Sequence, residues 1–284
     1  MKISPSFILI IILILLAVPL IDSQLVGTQL IDLSEKARDF FVEATKGNIQ
    51  GQQTGNQFGE NLDVGVSEED IQTQGGVLIF LQSAEKIEII STDTVNDIFG
   101  GANAHTVEIT GLDENFSVIT ETINLGPTVN TTTNEFIRVL NAEVIAVGTY
   151  SVTNLGTISM TAANSSTLQL EIAAIMGKSA STHFTVPAGQ NLILTALAAT
   201  MDTGKAVNVF LHIRNNADVT SGELGPEITI RTFRGLDTPV RGRSLGNLRF
   251  DEKTDIWFDS QITSGGAGAS VEVNYDFVLY AIGT

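Results

Sequence analysis

The chain has 284 residues, of which 43% are apolar and 17% are charged, and its formal net charge at pH 7 is −17. A chain this acidic is not expected to bind nucleic acid, because phosphate binding depends on Lys and Arg that displace counterions. Because the sequence has no cysteine, disulfides, thiolate catalysis and Cys-ligated zinc are excluded.

The chain begins with an apolar segment. No residue from Phe7 to Ile21 is polar, and a helix over this stretch covers about 22 Å, which its neighbours extend toward the roughly 30 Å of a bilayer core. We predict that residues 1–25 form a transmembrane anchor with Lys2 on the inner side. A signal peptide and a helix packed in a filament core are the alternatives. The residues predicted to lie in the membrane include Phe7, Ile10, Leu13, Leu16 and Ile21.

Two further segments precede the main body. Residues 26–46 carry apolar side chains at roughly helical spacing, including Leu30, Leu33, Phe40 and Phe41, and this predicts an amphipathic stalk helix that packs on its own domain or on another subunit. Residues 47–76 are rich in Gly, Gln and Asn, which predicts an extended arm without a packed element of its own.

From residue 77 onward the apolar residues recur with period two. Candidate strands lie at 76–82, 86–92, 105–125 (a hairpin), 135–147, 156–162, 167–175, 206–215, 227–233, 253–262 and 270–282. In the last of them Val271, Val273 and Tyr275 share one face. One apolar and one polar face are typical of antiparallel sheets packed face to face. The predicted fold is mainly β, with two tandem antiparallel, jelly-roll-like β-sandwiches at 77–176 and 177–284.

Histidines, carboxylates and an oxygen-rich loop are the candidates for metal or catalytic sites. The three histidines (His105, His183, His212) lie in strand patterns without HxH or HxxxH spacing, so we predict no metal role for them. Asp255 and Asp259 alternate with Ile256 and Phe258, which favours the solvent face of a strand over a glycosidase pair. A Gly-rich loop with oxygen ligands suits either a calcium ion or an ordinary capped turn. That loop contains Asp93, Asn96 and Asp97.

Arginines concentrate in one part of this acidic chain. They suit either contact with an acidic neighbour during self-assembly or simple solvation. The arginines are Arg231, Arg234, Arg241, Arg243 and Arg249.

Two stretches resemble a known family. VEITGLDENFSVITETINLGPTVNTTTNEFIRVLNAEVI (107–145) and the later series FTVPAGQ (184–190), RTFRGLD (231–237) and FDEKTDIWF (250–258) resemble two-domain β-rich virion structural proteins of marine viruses, mainly tailed phages. The resemblance covers roughly residues 55–284 and implies coat, decoration or appendage roles, with no catalytic residues. The apolar N-terminal segment departs from that family and points to a virion with an internal membrane or to a tethered surface protein.

We therefore predict a capsid- or coat-associated structural protein, with neither enzymatic activity nor a cofactor. It would assemble with copies of itself and other coat proteins, and its N-terminal helix would anchor the shell to a membrane. A membrane-tethered or secreted receptor- or glycan-binding spike, or a surface filament subunit, is the alternative. A β-sandwich hydrolase using Asp255 or Asp259 is a third hypothesis.

Overall fold

The computed structural model describes residues 40–243, 248–266 and 268–283, without the side chains of residues 41 and 243. Met1–Gln50 and Gly51–Thr284 form separate compact units. In the first, α1 (Phe40–Thr45) is a six-residue helix; the remainder of the predicted stalk, and the whole predicted anchor, lie outside the described residues. Within the described ranges, no helix combines the length and apolarity that crossing a bilayer requires.

The second unit is built from strands. Those of its N-terminal half are β1 (Gln52–Val64), β2 (Glu69–Asp70), β3 (Glu85–Ser91), β4 (Ala104–Leu112), β5 (Val118–Asn124), β6 (Asn130–Phe136), β7 (Arg138–Val147), β8 (Ile158–Ala162) and β9 (Leu168–Ile172). Those of its C-terminal half are β10 (Phe184–Thr185), β11 (Gln190–Met201), β12 (Ala206–Arg214), β13 (Glu227–Leu236), β14 (Val240–Arg243), β15 (Arg249–Phe250), β16 (Asp255–Ser264) and β17 (Ala269–Ala281).

The strands form four antiparallel sheets that pack as two sandwiches. In the first sandwich, sheet I (β6-β3-β8-β9) packs on sheet II (β5-β4-β7), and the buried core between them includes Ile87, Ile109 and Met160. In the second, sheet III (β1-β17-β11-β14, with β15 on β11) packs on sheet IV (β10-β16-β12-β13, with β2 on β16). Its core includes Leu211, Phe258 and Tyr275. The prediction of a mainly β, antiparallel fold is confirmed.

The predicted tandem order of the sandwiches is wrong. β1 pairs with β17, and β2 pairs with β16, so both strands belong to the second sandwich although they precede the first in sequence. The first sandwich is thus inserted between β2 and β10 of the second. Sequence order is a poor guide here, since the partner of β1 lies at the opposite end of the chain.

The predicted arm is likewise a strand over Gln52–Val64. Its composition, which indicated a linker, serves close packing. A side chain at Gly59 would collide with the backbone of Ile71 and with Thr182. The Gln57 amide donates hydrogen bonds to the carbonyls of Leu140, Ser181 and His183. A polar, glycine-containing strand can therefore be central to the fold when its side chains hydrogen-bond to neighbouring segments.

Period-two patterns located most of the other strands. The 105–125 hairpin is confirmed as β4 and β5, paired from Thr106↔Asn124 to Leu112↔Val118. In β17, Val271, Val273 and Tyr275 are fully buried, as predicted. The expected strand at 76–82 is instead an irregular segment, and it lies against the outer face of sheet IV.

Candidate functional site: a buried junction and an exposed tip

Along β16, the outer face of sheet IV, turned away from the core of the second sandwich, is buried. Ile256 and Phe258 of β16 point into that core, while Asp255, Trp257 and Asp259 point outward; these three are 0%, 3% and 6% exposed. The prediction of a solvent face is wrong. The irregular segment after β2 and the start of β7 cover this face, so both sides of the strand are packed. We call this region the junction.

A row of rings crosses the junction on neighbouring strands. The Trp257 indole lies between two imidazoles, stacked on His212 at 5.5 Å and on His183 at 6.4 Å between ring centroids. Phe80 meets both Trp257 and His183 edge-on, at 5.5 and 5.6 Å. His183 and His212 are both buried, with 4% and 2% exposure.

A buried ion pair ties the two sandwiches together at the junction. The Arg138 guanidinium, on β7 of the first sandwich, donates two parallel bonds of 2.9 and 3.0 Å to the carboxylate of Asp255 on β16. The Thr185 hydroxyl donates a further bond of 2.6 Å to the same carboxylate. Arg138 also lies over the Phe80 ring at 4.8 Å. Asp255 is therefore fully engaged and does not offer the free carboxyl group that glycoside hydrolysis requires.

Two carboxyl groups meet beside the ring row. Burial raises the pKa of Asp259 to about 10, and its hydrogen bond with Asp70 and the nearby charges add to the effect. Burial alone would also raise the pKa of Asp70, but contact with His183 and the bonds from Asp259 and the Leu78 N–H hold it below its ordinary value. Asp70 is thus the ionised member of the pair, and Asp259 carries the proton at neutral pH.

His183 links Asp70 to a serine. Its Nε2 lies 3.0 Å from Asp70 Oδ2, and its Nδ1 lies 2.9 Å from the Ser181 hydroxyl oxygen. The residue types are those of a hydrolytic triad, but the nitrogens are used in the reverse order, and Ser181 is 3% exposed. This geometry ties the chain entering β10 to β2.

His212 is surrounded by carboxylates. Its Nε2 lies 3.0 Å from Glu68 Oε1 and 3.5 Å from Asp259 Oδ2, and its Nδ1 lies 3.3 Å from Glu227 Oε1. The Thr229 hydroxyl is 3.2 Å from the same Nδ1. One potential metal-ligating atom from each of Glu68, His212 and Asp259 lies within 4.8 Å of the other two.

The opposite end of the first sandwich is built differently. Three loops, at 92–103, 148–157 and 173–177, follow or precede the far ends of β3, β4, β7, β8 and β9, and we call them the tip. Large apolar side chains are exposed there, with Tyr150 at 96% and Ile175 at 73%. Ile175 also has a φ of +63°, which is costly for a β-branched residue. The exposed apolar residues of the tip are Val95, Phe99, Tyr150, Val152, Leu155, Ile175 and Met176.

Buried polar groups hold these exposed loops in place. Asp97, 0% exposed, accepts bonds from the Ser91 hydroxyl and from the backbone N–H groups of Ala104, Leu155 and Gly156. Asn154, also 0% exposed, bonds to the carbonyls of Gly156 and Ala173 and to the Gly177 N–H. The tip is therefore a defined surface.

The candidate calcium ligands lie in one of these loops. Asp93 accepts bonds from the N–H groups of Val95 and Asn96, and these bonds hold its pKa below the ordinary value. With the oxygens of Asp97 also occupied, the arrangement is that of a capped turn. His105, on β4, has its Nε2 2.6 Å from the Gly101 carbonyl of the same loop.

The arginine concentration is divided between two sheets. Arg231 and Arg234 are exposed on β13, an edge of sheet IV, while Arg241 is exposed on β14, an edge of sheet III. The exposed Arg249 pairs with Asp251 at 3.1 Å. Arg243 is on β14, but its side chain is not described. Charged side chains on edge strands oppose uncontrolled pairing of sheets.

Two of the four remaining predicted assembly residues lie among the described residues. Phe40 lies on α1 and is 45% exposed, and Phe41 follows it in the same helix. Leu30 and Leu33 lie outside the described residues, as do the anchor residues Phe7, Ile10, Leu13, Leu16 and Ile21.

Sequence reasoning missed the partners that bury the junction. Glu68, Asp70 and Phe80 come from the presumed arm and its border, and Arg138 comes from the other sandwich. One local signal was present: Phe210 and Trp257 occupy the supposedly polar faces of β12 and β16, and aromatic residues there indicate a second covered face.

Comparisons with known proteins complete the description. No protein-family model matches the chain, and no curated protein matches it. A structure of the infectious bursal disease virus Gt strain is similar at 10% identity with a TM-score of 0.20, covering 86% of this chain and 82% of that chain. The VP2 subviral particle of infectious bursal disease virus has 9% identity and a TM-score of 0.17, covering 81% and 76%. Likeness at this level does not define a common fold.

Proposed function

We propose that this chain is a virion structural protein that assembles through the tip with copies of itself and with other coat proteins. The observation that carries the proposal is the tip: large apolar side chains exposed on loops that buried Asp97 and Asn154 hold in place. Large apolar side chains that are exposed together on one end of a folded domain favour a protein contact there. Assembly through the tip would give a shell or an oligomer. In this proposal no residue has a catalytic role.

Two further features favour association between copies. The net charge of −17 repels like chains, yet Arg231, Arg234 and Arg241 present cations on the exposed edges of the second sandwich. These edges can meet acidic surface on a neighbouring copy, which gives register and specificity. The resemblance of residues 107–145 and 184–190 to virion structural proteins of marine viruses points the same way.

The N-terminal segment extends the proposal to membrane attachment. Its support is the unbroken apolar run from Phe7 to Ile21 behind Lys2, which suits a single membrane span with the acidic body on the far side. The protein would then lie in a membrane-associated shell of the virion.

Sedimentation velocity of the full chain in detergent tests assembly. The wild type is expected to sediment as an oligomer, and a Tyr150→Ser, Ile175→Ser variant is expected to shift toward monomer because it removes apolar contact area. A Leu62→Ser, Val118→Ser variant is the matched control, since both side chains are exposed outside the tip. A monomeric wild type, or equal loss in both variants, would contradict the proposal; a monomer that binds glycans on an array would favour the spike alternative.

Liposome flotation tests attachment separately. The full chain is expected to float with lipid, and a chain lacking residues 1–25 is expected to stay in the dense fraction while keeping the β-sheet circular dichroism of the wild type. Flotation of the truncated chain would show that the apolar segment is not the anchor.

A further inference from the structure

We propose that Glu68, His212 and Asp259 form a binding site for a divalent first-row transition-metal ion, with Zn²⁺ the best fit. The site lies at one side of the junction and goes beyond the proposed assembly function. It joins three separate elements: the turn before β2, strand β12 and strand β16.

The spacing of the ligand atoms matches one ion. His212 Nε2 lies 3.0 Å from Glu68 Oε1 and 3.5 Å from Asp259 Oδ2, and all three atoms lie within 4.8 Å of one another. Ligands at about 2.0–2.1 Å from a tetrahedral Zn²⁺ are separated by about 3.3–3.4 Å. The two distances from His212 Nε2 lie on either side of that separation.

A buried nitrogen at this point has no hydrogen bond. His212 is 2% exposed, yet its Nε2 has no hydrogen-bond partner among the described residues. Nε2 is close to two carboxyl groups without the alignment that donation of a proton requires. A buried polar atom left in this way calls for a ligand.

The other side of the imidazole is arranged as in metal-binding histidines. Nδ1 shares a hydrogen bond of 3.2 Å with the Thr229 hydroxyl and lies 3.3 Å from Glu227 Oε1, so these two oxygens favour the tautomer that carries its proton on Nδ1. This leaves the Nε2 lone pair directed at Glu68 and Asp259. A carboxylate behind a ligating histidine fixes its tautomer and orientation and raises its basicity.

The donor set selects the kind of ion. One imidazole nitrogen and two carboxylate oxygens suit Zn²⁺ and its first-row neighbours, whereas Ca²⁺ and Mg²⁺ prefer oxygen ligands alone. The carboxyl group of Asp259 becomes a carboxylate ligand when the ion displaces its proton to solvent. The Glu68 side chain is 40% exposed, so the site opens to solvent on that side and a water molecule can complete the coordination. The bound ion would clamp the turn before β2 onto sheet IV.

Isothermal titration calorimetry of the full chain in detergent, stripped with EDTA and without an affinity tag, tests the site with Zn²⁺ as probe. One ion per chain is expected, and Co²⁺ is expected to give the visible absorption of a four-coordinate site with a nitrogen ligand. Glu68→Gln should weaken Zn²⁺ binding by about tenfold or more. Because Glu68 is partly exposed, this variant keeps the buried network and is expected to fold.

Glu114→Gln provides the matched control, since Glu114 is an exposed acid on the β4–β5 turn, and it should bind Zn²⁺ like the wild type. His212→Gln should abolish both binding and the Co²⁺ spectrum in a chain with wild-type circular dichroism. Absence of Zn²⁺ binding to the wild type would overturn the proposal. So would equal affinities of Glu68→Gln and Glu114→Gln, which would show that the ion binds elsewhere.

Discussion

The two ends of the first sandwich are built in opposite ways. At the junction, charged and polar groups are buried: Arg138 is 5% exposed and Asp255 is fully buried. At the tip, apolar groups are exposed, with Tyr150 at 96%. Strand β7 connects the two, since Arg138 begins it and Val147 ends it beside the tip loops.

The difference separates internal from external contacts. A buried ion pair that joins two sandwiches contributes geometry, because each charge is satisfied in only one arrangement of the two bodies. An exposed apolar surface on well-tied loops gains free energy only when something covers it. We infer that the junction sets the shape of the building block and that the tip provides its adhesive surface.

Breaking the junction should have the largest effect on stability. Arg138→Met leaves the Asp255 carboxylate buried with only Thr185 as a side-chain partner, and we expect the free energy of unfolding to fall by about 3–5 kcal/mol. Urea denaturation followed by Trp257 fluorescence measures this. The control is Arg249→Met, which removes the exposed pair with Asp251 and should cost about 0–1 kcal/mol. Equal losses would mean that the junction pair is no more than a surface contact.

Loosening the tip from within should cost somewhat less. Asp97→Ala removes a buried acceptor of four hydrogen bonds, and we expect a loss of about 3 kcal/mol in the free energy of unfolding. Hydrogen exchange at the amides of Ala104, Leu155 and Gly156 should accelerate beyond that of the junction amides. Asp93→Ala, which removes a more accessible cap of the same loop, should have a smaller effect. Uniform acceleration across both ends would contradict the assignment of Asp97 to the tip.

Glu85→Gln tests the contribution of the Glu85 carboxylate, at the junction end of the first sandwich, to stability. Burial would raise the pKa of Glu85, but bonds from the N–H groups of Ser165 and Asn164 hold it below its ordinary value. A lowered pKa stabilises the fold above the unfolded-state pKa, and this contribution disappears as pH falls through the folded-state pKa. Glu85→Gln should therefore cost about 1 kcal/mol at neutral pH and progressively less in acid. A cost independent of pH would show that charge is not involved.

Sequence periodicity identified the buried face of several strands but not what covers the other face. Val271, Val273 and Tyr275 were assigned correctly because a strand with a single core face alternates. Asp255 and Asp259 were misassigned to a solvent face, because their partners, Arg138 and Asp70, are more than a hundred residues away in sequence. β1 was missed for a related reason: Gly59 and Gln57 act through contacts with Thr182 and Leu140, which no local pattern records.

Site-specific photo-crosslinking tests the central claim most directly. A photoreactive phenylalanine analogue at Tyr150 should capture a second copy of the full chain on irradiation, whereas the same analogue at Val118, exposed at the junction end, should capture far less. Crosslinked dimers from the Tyr150 position alone would support assembly through the tip. No dimer from Tyr150, or equal yields from both positions, would contradict it.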